Sequence, residues 1–147
     1  MGARSTAREA ALQMLFALEA SGAEADRVIA DYWLETPGDA EDRAYADAIV
    51  RGVAGELAET DARVRAASKN WRIERMTRVD RAVLRLGAYE LVHRHEVPRA
   101  VILDEAVEIA KRYGTEDSGA FVNGVLDRVA DDCGRKDDPG APGSGEA

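Results

Sequence analysis

The sequence predicts an all-α protein, a single compact domain of about seven helices packed as a bundle. Three observations predict it. Alternating runs of β-branched residues, the mark of strands, do not occur. Alanine, the best helix former, is abundant throughout. Apolar residues recur at three- and four-residue spacing almost from end to end. At 147 residues the chain is long enough to bury a core, with roughly 70% of its unfolded surface removed from water at this size.

The first helix is expected to start near Ser5 or Thr6 and to end at Ser21-Gly22, with Thr6-x-x-Glu9 as a capping box. Ala11, Met14, Leu15 and Leu18 form one stripe. Leu12 and Phe16 form a second line beside it, which Arg4 and Arg8 continue. A second helix spans about 25–34. Thr36-Pro37-Gly38-Asp39 reads as a turn that ends in the N-cap Asp39. A long helix over about 40–67 carries Tyr45, Ile49, Val53 and Leu57 at four-residue steps, with a break in register expected near Thr60-Asp61. Ser68 to Trp71 is a loop, followed by a short turn. The next helix, about 78–94, is the most basic, and Pro98 marks the break after it. Helices at about 105–113, capped by Asp104, and about 117–130 complete the domain, 1–130. Residues 131–147 are polar and rich in Gly and Pro, so a disordered tail is expected there.

"FVNGVLDRV" (Phe121 to Val129) contains Asn-Gly, a strong turn signal. Its flanks are too short for a hairpin, and Phe121, Val122, Val125, Leu126 and Val129 share one helical arc. A helix is therefore expected, with the bare backbone of Gly124 letting another helix, the favoured reading, or an RNA come close.

Net charge is −8, which disfavours indiscriminate binding to polyanions. The charge is unevenly spread: residues 9–59 hold 12 acids and 3 bases, whereas 61–99 hold 5 acids and 10 bases. No apolar run approaches the ~18–20 residues of a membrane span. The N-terminus lacks the uncharged core of a secretory signal. The lone Cys133 has no partner for an internal disulfide, so a cytoplasmic protein is expected.

No catalytic constellation emerges. His93 and His95 fall on opposed sides of a helix, and nothing completes a metal site around them. There is no Gly-rich phosphate loop, no HExxH motif and no oriented base for Cys133. No cofactor is expected, and the chain reads as a binding module rather than an enzyme. Two features point to binding. Arg78, Arg81 and Arg85 stack on one face of the basic helix, as either a solvated face or a phosphate-contacting ridge, near Trp71, Arg72 and Arg75. Asp80 and Glu90 fall within or beside the apolar arc of that helix, where a carboxylate is costly unless paired. Each is either a structural ion pair or a group whose partner arrives with another protein.

Several segments together resemble the NusB family of bacterial transcription antitermination factors. They are "AREAALQMLFALEASG", "NWRIERMTRVDRAVLRLGAYEL" and "VPRAVILDEAVEIAKRYGTEDSGAFVNGVLDRV", in that order, and the match covers about residues 4–130. The resemblance implies a NusB-like helical bundle without catalytic activity. It implies binding to boxA RNA together with NusE, which is also a small-subunit ribosomal protein. It further implies a place beside NusA, NusG and RNA polymerase in complexes that suppress termination, notably in ribosomal RNA operons. Homodimers occur among such proteins. By similarity, Arg4, Arg8, Gln13, Phe16, Glu74, Asp117 and Phe121 would contact RNA. Asp80, with Phe16, would face NusE.

Two departures remove positive charge from that surface. The stretch before the first helix is only "ARST", and Ala120 stands where a basic residue is common. Each lost phosphate contact weakens binding and flattens its salt dependence. RNA binding by the protein alone is therefore expected to be weak and more dependent on NusE. Phe16 stands where Tyr is frequent, which keeps stacking and loses a hydroxyl. Two other readings are the NusB-like domain of ribosomal RNA cytosine methyltransferases, where a catalytic domain would be expected to follow, and a helical protein that dimerises through the Leu12–Phe16 line without binding RNA.

Overall fold

In a computed structural model, residues 4–135 are described. Wherever apolar residues recur at helical spacing the chain is helical. Among the described residues there are seven α-helices, one short 3-10 turn and no strand. The chain divides into two units, the first ending at Leu57 and the second beginning at Ala58.

The first unit contains α1 (Ser5–Ser21), α2 (Ala25–Glu35) and α3 (Ala40–Gly55), each packed on the other two. Ala7, Ala11, Leu12, Met14 and Leu15 of α1 are buried, as are Val28 and Ile29 of α2 and Ile49, Val50 and Val53 of α3. The expected capping box is absent, because the helix begins at Ser5 with Arg4 at the cap position and no side-chain cap bond. Asp39 caps α3 as expected, its carboxylate accepting from the Asp42 N–H at 2.8 Å. The Trp33 indole N–H donates to Asp47 at 2.8 Å, tying α2 to α3. Leu12 is fully buried, so the Leu12–Phe16 line is not an external dimerisation stripe.

The long helix expected over 40–67 is two helices. The break is at Glu56 (φ −124°, ψ 36°), not at Thr60-Asp61. Gly52 and Gly55 lower helical propensity just before it, while Thr60 and Asp61 are buried inside α4 (Leu57–Ala67). The 3-10 turn Ile73–Arg75 then leads to α5 (Arg78–His93), capped by Thr77, whose hydroxyl accepts from the Asp80 N–H at 3.1 Å.

The sixth helix, α6 (Arg99–Tyr113), begins at Arg99 and not at 105, which places Asp104 inside it. Pro98 occupies the cap position, and its carbonyl accepts from the N–H groups of Val101 and Ile102. Proline, read as a breaker of the preceding helix, also starts the next one, because its fixed φ (−59° here) suits a helix entrance. Helices α5, α6 and α7 (Ser118–Asp132) pack on one another in the second unit.

Helix α7 runs past the expected limit of 130. Beyond it, Arg135 is buried, and its guanidinium donates to the carbonyls of Leu91 (2.9 Å) and Val97. Arg99 donates to the Arg135 carbonyl at 2.5 Å and to the carboxylates of Asp127 (2.7 Å) and Asp131 (3.2 Å). The first residues of the expected tail are thus part of the packed unit. The remainder of the expected tail, 136–147, lies outside the described residues.

Close packing falls on a different glycine from the one expected. A Cβ at Gly87 of α5 would stand 2.6 Å from the Leu126 side chain, whereas a Cβ at Gly124 would meet nothing within 4 Å. Gly124 is exposed in mid-helix, so Gly124→Ala should stabilise the fold by about 0.5–1 kcal/mol through helix propensity. The measurement is the urea midpoint, and a fall in it would show that the bare backbone is needed.

Candidate nucleic-acid interface

The residues assigned to RNA in the first unit are Arg4, Arg8, Gln13 and Phe16, and only Arg8 is buried. Arg4 and Gln13 are exposed and Phe16 is half-buried. The Arg4 guanidinium lies 4.1 Å from the centroid of the Tyr45 ring, a cation–π contact that holds it near the helix start. Arg8 is different. It is only 2% exposed, and its guanidinium donates to the Tyr45 hydroxyl at 3.4 Å. It therefore belongs to the interior rather than to a phosphate-contacting arm. The reason lies in its register, because Arg8 stands one turn from Leu12 on the line that faces inward.

In the second unit the ridge of arginines on α5 is largely consumed by structure. Arg85 makes two bonds to Asp61, at 2.8 and 2.9 Å, with side chains only 17% and 10% exposed. Arg81 donates to the carbonyls of Met76 (2.8 Å) and Ile73 (3.3 Å), fastening the 3-10 turn to the helix. Only Arg78 is fully on the surface. Of the two acids beside the apolar arc, Glu90 is completely buried.

Asp80 is half-buried, and its Oδ1 is buried without a hydrogen-bond partner. Asp80 is one of the residues that line a hollow of about 200 Å³, with Trp71, Arg75, Met76, Thr77, Asp117 and Phe121. The structure thus brings together Asp80, Asp117 and Phe121, which are separated by up to 41 positions in sequence. Asp117 is exposed at the N-cap of α7 and makes no side-chain cap bond. Phe121, one turn on, stands edge-to-face with Trp71, with centroids 6.3 Å apart and planes at 84°. Ala120, beside it, is exposed and uncharged.

Glu74 is exposed in the 3-10 turn and is not part of the hollow's lining. Its carboxylate accepts from Arg65 at 3.4 Å. The hydrogen bond to its own backbone N–H holds its pKa below the usual value, with Arg65 and Arg72 adding to the effect against some desolvation. An ionised carboxylate repels phosphate, so an RNA contact at Glu74 would be to a base amine or a ribose hydroxyl. Trp71 and Arg75 lie in the hollow, although the family resemblance places neither among the RNA contacts and the sequence sets them only near the candidate arginine ridge. The available signal was an aromatic set among bases in "NWRIER", a pattern that suits single-stranded RNA.

The chain matches the NusB family over residues 5–131. It is 72% identical over 137 residues to the transcription antitermination protein NusB of Sorangium cellulosum, covering 93% of this chain and 98% of that protein. A solved structure of T. maritima NusB superposes with a TM-score of 0.82 at 37% identity, covering 88% of this chain and 92% of that one. A crystal structure of the antitermination factors NusB and NusE in complex with dsRNA contains a chain with a TM-score of 0.81 at 25% identity, covering 88% of this chain and 96% of that one.

Proposed function

From the premise that the chain belongs to the NusB family, we propose that it is a transcription antitermination factor, an RNA-binding adaptor and not an enzyme. In this reading it binds boxA RNA together with NusE. The pair joins NusA, NusG and RNA polymerase in the cytoplasm, and termination is suppressed, notably in ribosomal RNA operons. The domain of 1–130 would carry this binding surface.

The observation that carries the reading is Asp80, which lines one hollow with Asp117 and Phe121 and has a buried carboxylate oxygen without a hydrogen-bond partner. A buried carboxylate oxygen without a donor is costly unless a donor comes from outside. A basic side chain of NusE would supply it. Asp117 offers acceptors to base amines, and Phe121 offers a ring for stacking. Arg4, Gln13, Phe16 and Glu74 extend the proposed contact set, with Phe16 also toward NusE. Arg8 contributes by holding Tyr45, on which Arg4 rests. With Arg8 inside and Ala120 uncharged, few cations meet the phosphates, so binding by the protein alone is weak and NusE supplies much of the affinity.

The test is a filter-binding assay with boxA RNA and a scrambled RNA, with and without NusE, at two salt concentrations. The expected result is a preference for boxA that NusE strengthens and salt weakens. Equal binding of both RNAs in the presence of NusE would sink the reading.

A further inference from the structure

Trp71 is 55% exposed, an unusual position for so large an apolar ring. Its exposure is not looseness. The Trp71 N–H donates to the Ser68 carbonyl at 2.6 Å, and the buried Ser68 hydroxyl donates to the Trp71 carbonyl at 3.1 Å. The indole is held out by a fastened loop against the edge-to-face ring of Phe121. A platform fixed before binding loses little entropy when a ligand stacks on it.

We infer that Trp71 is a further RNA-binding residue, which with the perpendicular Phe121 ring bounds a slot for one nucleobase, stacked on one ring face and not between the two, while Arg72 and Arg75 take the flanking phosphates. The inference rests on the RNA-binding reading above. At about 200 Å³ the hollow is smaller than the roughly 300–1,000 Å³ of ordinary ligand pockets, so it suits a single planar group. The carboxylate of Asp117 repels phosphate from the hollow but accepts from amino groups on a base edge. Arg72 and Arg75 are exposed on the same short segment, where they attract a phosphate backbone. The base thus takes the side of the hollow lined by Trp71, Phe121 and Asp117, while Asp80 is left to the NusE cation.

The test uses the full chain with Trp71→Ala and Trp71→Phe, boxA RNA and NusE. Trp71→Ala should weaken RNA binding in the presence of NusE by roughly 5- to 150-fold, the range for loss of one base–aromatic stack. NusE affinity measured without RNA should not change. Trp71→Phe should recover most of the RNA affinity. RNA should also quench the tryptophan emission of the wild type, and the quench should vanish in Trp71→Phe, which retains only Trp33. If the wild type binds boxA and neither variant alters affinity, the slot is wrong while the adaptor function stands. A loss of NusE affinity without RNA in Trp71→Ala would mean that Trp71 itself seats a NusE side chain, and the inference falls. If the wild type shows no boxA preference, both readings fall together.

Discussion

Asp61→Ala should lower the stability of the protein by about 3–5 kcal/mol, the usual cost of removing one partner from a buried ion pair. The Arg85 guanidinium makes two bonds to the Asp61 carboxylate, and both side chains are largely withdrawn from water. Deleting the carboxylate leaves the guanidinium without those acceptors in a setting of low dielectric. Urea denaturation followed by circular dichroism measures the effect. The double variant Asp61→Leu with Arg85→Met should restore much of the loss, because an apolar pair of similar volume carries no desolvation cost. A loss below about 1 kcal/mol for Asp61→Ala would place the pair among ordinary surface salt bridges.

Asp80→Lys should weaken NusE binding by at least about 30-fold, on the order of 2 kcal/mol, while leaving the helical circular-dichroism signal intact. The change removes the acceptor proposed for a NusE cation and sets a like charge in its place. A smaller effect on stability is expected as well. Asp80 lies in the first turn of α5, where a negative charge is favoured by about 0.3–1 kcal/mol and a positive one is not. Asp80→Asn separates the two effects, since it keeps the shape and removes only the charge. If Asp80→Lys unfolds the domain, Asp80 is a structural partner and its assignment to NusE is wrong.

The difference between these two acids marks how far the sequence could be read. Asp80 and Glu90 drew notice because they fall in or beside an apolar arc, and both are withdrawn from solvent to some degree. Asp61 drew none, apart from an expected register break that the structure puts at Glu56. Its partner Arg85 is 24 positions away, and no local pattern announces such a pairing. Arg8 shows the converse. Its position on the Leu12 line was legible, yet charge suggested the surface. Tyr45 overrode that expectation by offering a ring face and a hydroxyl to a buried guanidinium.

The start of α6 departs from the expectation for a local reason, because the same proline that ends one helix can start another. Gly124 departs from it for a nonlocal one. Which glycine lies against a neighbour depends on how helices cross, and Leu126 meets Gly87 instead.

The sequence by itself determined the all-helical class, the positions of most helices and the family resemblance, because periodicity, caps and motif order are written along the chain. Only the tertiary structure decided which charges are spent on the fold and which remain for a partner. It buried Arg8, paired Arg85 with Asp61, docked Arg135, and gathered Asp80, Asp117, Phe121 and Trp71 around one hollow. The physical reason is that burial and pairing depend on neighbours brought close in space, which helical spacing along the chain does not encode.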